Sequence, residues 1–453
     1  MSEKSPSDSR VCVVGAGPSG LVMARAALQA GAEVVVYERH TDVGGIWDPE
    51  NPGSPIYESA HFISSRYTSG FYGFPMPESF PDYPGYKLLR DFIREFAATF
   101  GLYDVVRLGT GVQRAEQVDG GWVVTDTDGR SETFTHLVCA NGVTWHPRMP
   151  DYPGLDTFTG EYRHSSTFRH AREFDGKRVL VVGGGNSGVD IACDAARNAD
   201  AAFWSVRRGY RVIPKHIFGV PLDVFINEGG RPPEGVTVPE DPSALIDALV
   251  GDLSRFGLPK ADHAALESHP IVNDAIVHHL THGDIAGKPD VARLRGDTVE
   301  FTDGSTEQVD LVLFATGYDY DIAYVDPSLF EWRHGHPELY LNMFNREIDN
   351  LYVLGFIEFA DAAYHRFDEM AQLIAFDVVA TGARKQQLSE LKRTDAPDLR
   401  GGMHYIDSPR HASYVETHTF QHALAAVRER FGLEALTETT FDALRRDPLE
   451  KAG

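Results

Sequence analysis

The chain has 453 residues, with 42 Lys and Arg against 66 Asp and Glu, a formal net charge of −24. That length allows two or three domains, and an acidic excess of this size argues against a nucleic-acid backbone as partner. The composition is that of a globular protein, three cysteines make no disulfide framework, no apolar run reaches membrane-spanning length, and the polar residues 1–10 lack a signal-peptide core, so a cytoplasmic location is expected. In chain order, the β-branched run at 11–14 reads as a buried parallel strand, followed by the turn Gly15-Ala16-Gly17-Pro18-Ser19-Gly20. Leu21, Ala24 and Leu28 recur at helical spacing before Gly31, and 34–37 makes a second strand ending at Glu38. Residues 71–86 are crowded with Phe, Tyr, Pro and Gly; an amphipathic helix over 87–100 then presents Leu88, Phe92, Ile93 and Phe96 on one side. Residues 112–142 read as a β-meander turning at Asp119-Gly120 and Asp128-Gly129. A second strand-turn-helix-strand unit spans 178–206, with the turn Gly183-Gly184-Gly185-Asn186-Ser187-Gly188. Residues 228–243 look like a loop, Asp303-Gly304 signals a hairpin, and buried strands at 311–314 and 351–354 end in Ala315-Thr316-Gly317 and Gly355.

Two glycine turns, each between a strand and a helix, imply two nucleotides. In such a turn the first glycine permits the bend and the second lets backbone approach a pyrophosphate. The third admits close helix packing, while the helix N-terminus offers N–H donors and a positive dipole end. The ends of the following strands differ. Glu38 stands where a carboxylate binds the ribose hydroxyls of an unphosphorylated adenosine, which suits FAD or NAD. Arg207-Arg208 occupies the corresponding place after the second turn, where guanidinium groups pair with a 2′-phosphate, which suits NADP. The alternative for Arg207-Arg208 is a solvated basic pair.

Further residues carry a resemblance. Glu38-Arg39 followed by Gly44-Gly45-Ile46-Trp47 resembles the ERxxxxGGxW segment of flavin-containing monooxygenases. Residues 158–169, with Phe158, Gly160, His164, Phe168 and Arg169, match the family pattern FxGxxxHxxx(F/Y)(K/R), and Ala315-Thr316-Gly317-Tyr318 resembles its ATGY strand end. The Phe168-Arg169 ending differs from the Trp-Pro or Trp-Asp of Baeyer–Villiger relatives. The resemblance implies an α/β fold of two Rossmann-like domains: FAD from 1–162 and 318–453, and an inserted NADP domain from 163–317. It implies an NADPH-dependent FAD monooxygenase that passes one oxygen atom from a C4a-peroxyflavin to a nitrogen, sulfur or carbonyl centre of a small molecule. FAD contacts are then expected from Gly15, Gly17, Pro18, Ser19, Gly20, Glu38, Arg39, Gly45, Ile46, Trp47, His61 and Val112. NADP contacts are expected from Gly183, Gly185, Asn186, Ser187, Gly188, Arg207, Arg208, Thr316 and Gly317. At 61–66, where heteroatom-oxygenating members carry a Thr-Asn pair, this chain reads His61-Phe62-Ile63-Ser64-Ser65-Arg66. The candidates are therefore Ser64 or Ser65 to supply the missing hydrogen bond, or Arg66 to hold the peroxide or the nicotinamide.

Other readings weigh against or beside this one. His164 reads as a structural residue at the domain crossing. Phe71, Tyr72 and Phe74 border the flavin or simply fill core. His278 and His282 stand at helical i, i+4 spacing but lack a third ligand, so no metal is expected. Cys12, Cys139 and Cys193 form no neighbouring pair, which argues against a dithiol reductase. Baeyer–Villiger oxygenation, uncoupled NADPH oxidation and a non-catalytic redox sensor stay open as alternatives. Oligomeric state is open too, with a homodimer the commonest soluble assembly.

Overall fold

The computed structural model describes residues 9–446. They divide into two compact units, one from 9–52, 66–143 and 320–446, the other from 53–65 and 144–319.

In the first unit the strands that sequence marks as continuous apolar runs pair in one parallel sheet. Its order is Leu351–Val353, His136–Cys139, Arg10–Val14, Glu33–Tyr37 and Val106–Arg107. Cys12 lies between Val35 and Leu137, and all three are buried, as a sheet covered on both faces requires. The helix Pro18–Gln29 packs with the helix Tyr364–Val379. The antiparallel strands Val112–Val118, Gly121–Asp126 and Ser131–Phe134 bring Trp122, Val124 and Phe134 into one core with Cys12, Val14 and Cys139. The expected meander stops at Phe134. His136–Cys139 pairs in parallel with Arg10–Val14 and Leu351–Val353, because Leu137, Val138 and Cys139 are apolar toward both faces.

The amphipathic helix runs Tyr86–Thr99 and buries Leu89, Phe92, Ile93 and Phe96, with Leu88 only partly covered. Of the aromatic residues before it, Phe71 is core, stacked on Phe92 at 5.7 Å and on Tyr364 at 4.8 Å between ring centroids, while Tyr72 and Phe74 are half-buried.

The second unit repeats the same parts. Its parallel sheet has the order Ile285–Lys288, Ala201–Ser205, Arg178–Val182, Leu311–Phe314 and Glu161–His164. Leu180 lies between Phe203 and Val312. A second antiparallel meander, Val291–Arg295, Thr298–Phe301 and Thr306–Gln308, adds Leu294, Val299 and Phe301 to that core. The expected boundary at 163 falls inside the edge strand Glu161–His164, and Phe158 is already part of this unit's core. Residues 228–243 lie between the helices Leu222–Asn227 and Pro242–Val250 and reach only the first residues of the latter. Among the described residues no helix is long and apolar enough to cross a membrane.

Candidate dinucleotide sites

The turn of the first unit follows from close packing. A side chain on Gly20 would put its Cβ 1.8 Å from the Gly15 carbonyl oxygen, so only glycine lets the helix Pro18–Gln29 start there. Pro18 takes the first helical turn, where its missing N–H costs nothing, and Gly17 caps the helix without a side chain. The first-turn donors are thereby left for an anion. Ser19 packs against Gly355 at the end of the neighbouring strand segment.

Around this turn gather most of the residues that sequence nominates. Glu38 is buried, with one carboxylate oxygen accepting from the Ala16 amide at 2.7 Å and the other from the His40 amide at 2.9 Å. A carboxylate has lone pairs beyond these two bonds, free to accept ribose hydroxyls. The Gly44 amide donates to the Ala16 carbonyl at 3.1 Å, and Gly45, at φ +60°, leaves its backbone so near Gly17 that a Cβ would lie 3.0 Å from the Gly17 Cα. Ile46 and Trp47 complete that short helical turn, and Trp47 Nε1 donates to the Tyr364 hydroxyl at 2.9 Å. The Thr110 amide donates to the Glu38 carbonyl at 2.8 Å, which brings Val112 to the same strand end. Exposed Arg39 donates to the Pro52 carbonyl at 3.4 Å. His61 belongs to the second unit.

The second turn is built alike. A Cβ on Gly188 would lie 2.2 Å from the Gly183 carbonyl oxygen, and the Gly183 oxygen accepts from Trp204 Nε1 at 2.9 Å. Gly185 caps the helix Asn186–Asn198 with no side-chain bond. The Asn186 amide is used locally, donating to the Pro270 carbonyl and accepting from the Val272 amide, both at 3.0 Å. Ser187 lies beside the Tyr57 hydroxyl. Arg207 and Arg208 follow the strand Ala201–Ser205, and neither pairs with a carboxylate among the described residues. Two guanidinium groups left unneutralised in a chain this acidic fit a 2′-phosphate.

His164 links the two remaining motifs. Its Nε2 donates to the Gly317 carbonyl at 3.0 Å and its Nδ1 accepts from the Ser166 amide at 3.1 Å. Thr316 donates to the Arg148 carbonyl at 2.5 Å. These bonds define a neutral imidazole, and burial pushes its pKa below the usual histidine range. His164 is a pin between the fingerprint and the strand end. Phe168, fully buried, stacks on Phe174 at 4.9 Å.

The segment carrying Ser64 and Ser65 is tied to the second unit by carboxylates that the sequence reading missed. Tyr57 donates to Asp190 at 2.9 Å, Ser59 to Asp194 at 2.5 Å, and the Ser65 amide to Asp223 at 2.7 Å. His61 Nδ1 bonds the Ser59 carbonyl at 3.0 Å while its Nε2 meets Lys215 Nζ at 2.5 Å. Burial lowers the Lys215 pKa, against the pull of Asp190 and Asp274. Ser64 and Ser65 are buried. Arg66, the next residue, belongs to the first unit, where its guanidinium lies 4.1 Å from the Tyr67 ring. On α-helical spacing alone nothing marks Tyr57, Asp190 or Lys215, because their partners are far away in the chain. The ring centroids of His278 and His282 are 4.3 Å apart, and no group of three ligating side chains occurs among the described residues.

Comparison with known proteins agrees with this geometry. The family described as flavin-binding monooxygenase-like matches residues 8–381. Flavin-containing monooxygenase 5 of Mus musculus is 31% identical over 439 residues, covering 90% of this chain and 81% of that protein. Dimethylaniline monooxygenase (N-oxide-forming) 2 of Cavia porcellus is 31% identical over 369 residues, covering 75% and 67%. The crystal structure of OTEMO in complex with FAD and NADP shares the fold, with a TM-score of 0.69 at 18% identity over 93% of this chain and 98% of that one. The family match spans both glycine turns and the fingerprint between them, and the chain belongs to the flavin-binding monooxygenase-like family as a flavin-dependent monooxygenase using FAD and NADPH.

Proposed function

We propose that the first unit holds FAD, that the second holds NADPH, and that the enzyme delivers one oxygen atom to a nitrogen, sulfur or carbonyl centre of a small molecule. The observation that carries the assignment is the contrast between two turns of the same build. A buried carboxylate, Glu38, borders one, and two unpaired guanidinium groups, Arg207 and Arg208, border the other. When bound, FAD supplies hydride acceptance from NADPH and activation of oxygen. The chain's residues supply position. The uncapped helix starts receive the pyrophosphates, Glu38 orients the adenosine of FAD, and Arg207 and Arg208 select the phosphorylated nucleotide. Ser64, Ser65 and Arg66 are assigned to the reacting end, with Lys215 and His61 holding that segment in place.

The test is flavin reduction by NADPH and NADH at equal concentration. NADPH is expected to bleach the flavin at far lower concentration than NADH; equal efficiency would remove the role of the arginine pair. A second reading is NADPH oxidation that releases hydrogen peroxide. The sequence of 61–66 favours it, since the segment offers no amide side chain where related enzymes carry one. Peroxide formed per NADPH consumed, with and without an amine or thioether, separates the two.

A further inference from the structure

Residues 53–65 contain no helix or strand, so the bonds they make to the rest of the second unit decide where they lie. Two of those bonds go to one helix. Tyr57 donates to Asp190 at 2.9 Å and Ser59 to Asp194 at 2.5 Å. The two carboxylates stand four residues apart in the helix Asn186–Asn198, which puts them on one face, and both are buried. A buried carboxylate that loses a donor is destabilised, so the helix holds this segment firmly. Asp190 also accepts from Asn273 Nδ2 at 2.5 Å, and the Tyr57 ring lies 5.7 Å from that of Phe168. Further along, the Glu58 amide donates to the Arg169 carbonyl and the Ser65 amide to Asp223, both at 2.7 Å.

The helix that moors this segment is the one that starts at the second glycine turn. Asp190 is its fifth residue, one turn beyond Asn186, and Asp194 lies one turn further. An anion received by the N–H groups of the first turn immobilises that turn, and the i to i−4 hydrogen bonds carry the restraint into the turns that follow. The segment then leads from Tyr57 and Ser59 to Ser64 and Ser65. We propose that Asp190 and Asp194 are positioning residues that couple NADP(H) at the second turn to the placement of Ser64 and Ser65, so that nucleotide binding orders residues 56–65. Ordering is shared: a segment already held by the helix takes less entropy from the nucleotide, and a bound nucleotide takes less from the segment. The proposal rests on the assignment of NADPH to the second unit and of Ser64 and Ser65 to the reacting end.

Hydrogen–deuterium exchange of the purified protein with and without NADP+, resolved by peptide, tests this and needs no turnover. In wild type, NADP+ is expected to slow exchange at the start of the helix Asn186–Asn198 and to slow it about fivefold in 56–65, the effect of a modest coupling. The double variant Tyr57→Phe, Ser59→Ala removes both donors and keeps the ring beside Phe168. It is expected to retain the slowing at the helix start and to lose it in 59–65. Because coupling is reciprocal, its Kd for NADP+ is expected to rise by the same factor of about five. Wild-type protein in which NADP+ slows the helix start but leaves 56–65 unchanged overturns the proposal and leaves the NADP site intact. A double variant that keeps the slowing in 59–65 overturns it too. Wild-type protein in which NADP+ slows neither region overturns both the proposal and the assignment of NADPH to the second unit. The wild-type comparison keeps the test decisive if the double variant does not fold.

Discussion

On the proposed assignment, Arg207 and Arg208 are the residues on which cofactor choice turns. A bidentate guanidinium contact to phosphate is among the stronger polar interactions, and an ammonium or neutral side chain does not reproduce it. The double substitution Arg207→Ala and Arg208→Ala is expected to raise the KM for NADPH by about 10- to 100-fold and leave that for NADH within about threefold. Steady-state kinetics with both nucleotides check this. His164 gives a pH prediction. Burial lowers its folded-state pKa, so on acidification the unfolded chain takes up a proton on this histidine before the folded chain does. Its contribution to stability is present above the ordinary histidine pKa of about 6.5 and is lost as pH falls below that value. Thermal melting from pH 7.5 to 5.5 should therefore show a larger fall for wild type than for His164→Gln, in which the pH-dependent term is absent. Equal falls would mean that burial does not lower the His164 pKa.

At the scale of elements, each glycine turn is a joint in which helix and strand touch. Gly188→Ala would force a Cβ to 2.2 Å from the Gly183 carbonyl oxygen and must displace the helix Asn186–Asn198. The variant is expected to remain yellow with FAD and to be bleached by NADPH at least tenfold more slowly; normal bleaching would show that the helix shifts without harm. Both turns were legible in the sequence because apolar strand, glycines and periodic helix occur in the right order. The second meander was legible only at Asp303-Gly304, since its strands are short and their outward residues charged. The attachment of 53–65 was not legible at all. Tyr57 and Ser59 meet Asp190 and Asp194 more than a hundred residues away, and no local pattern marks such bonds. The helices Tyr364–Val379 and Gly382–Thr394 hold a second long-range cluster. Lys392, fully buried, lies 2.9 Å from Asp377 and 3.0 Å from Asp349, and Tyr352 donates to Asp377 at 3.0 Å. Lys392→Met removes one partner from a buried carboxylate and is expected to cost about 3–5 kcal/mol. Urea unfolding followed by circular dichroism measures it, and a change below about 1 kcal/mol would show that Lys385 alone satisfies Asp377.

For the whole molecule, two units of the same design carry different side chains beside their turns, and a flavin-dependent monooxygenase of this family uses both FAD and NADPH. A parallel sheet, a glycine turn, a helix and a three-stranded meander recur in each unit. What differs is the chemistry at the end of the strand after the turn, a carboxylate in one and a guanidinium pair in the other. The net charge of −24 makes an unpaired pair of arginines stand out further, since most surface arginines here have carboxylate neighbours. The central claim is that electrons pass from NADPH to bound FAD and then to oxygen. The most direct measurement mixes the purified yellow protein with NADPH in the absence of oxygen, then admits air while the flavin spectrum is recorded. Bleaching by NADPH and reoxidation by air are expected, with one oxygen atom recovered in an added amine or thioether. A flavin that NADPH leaves oxidised would contradict the claim.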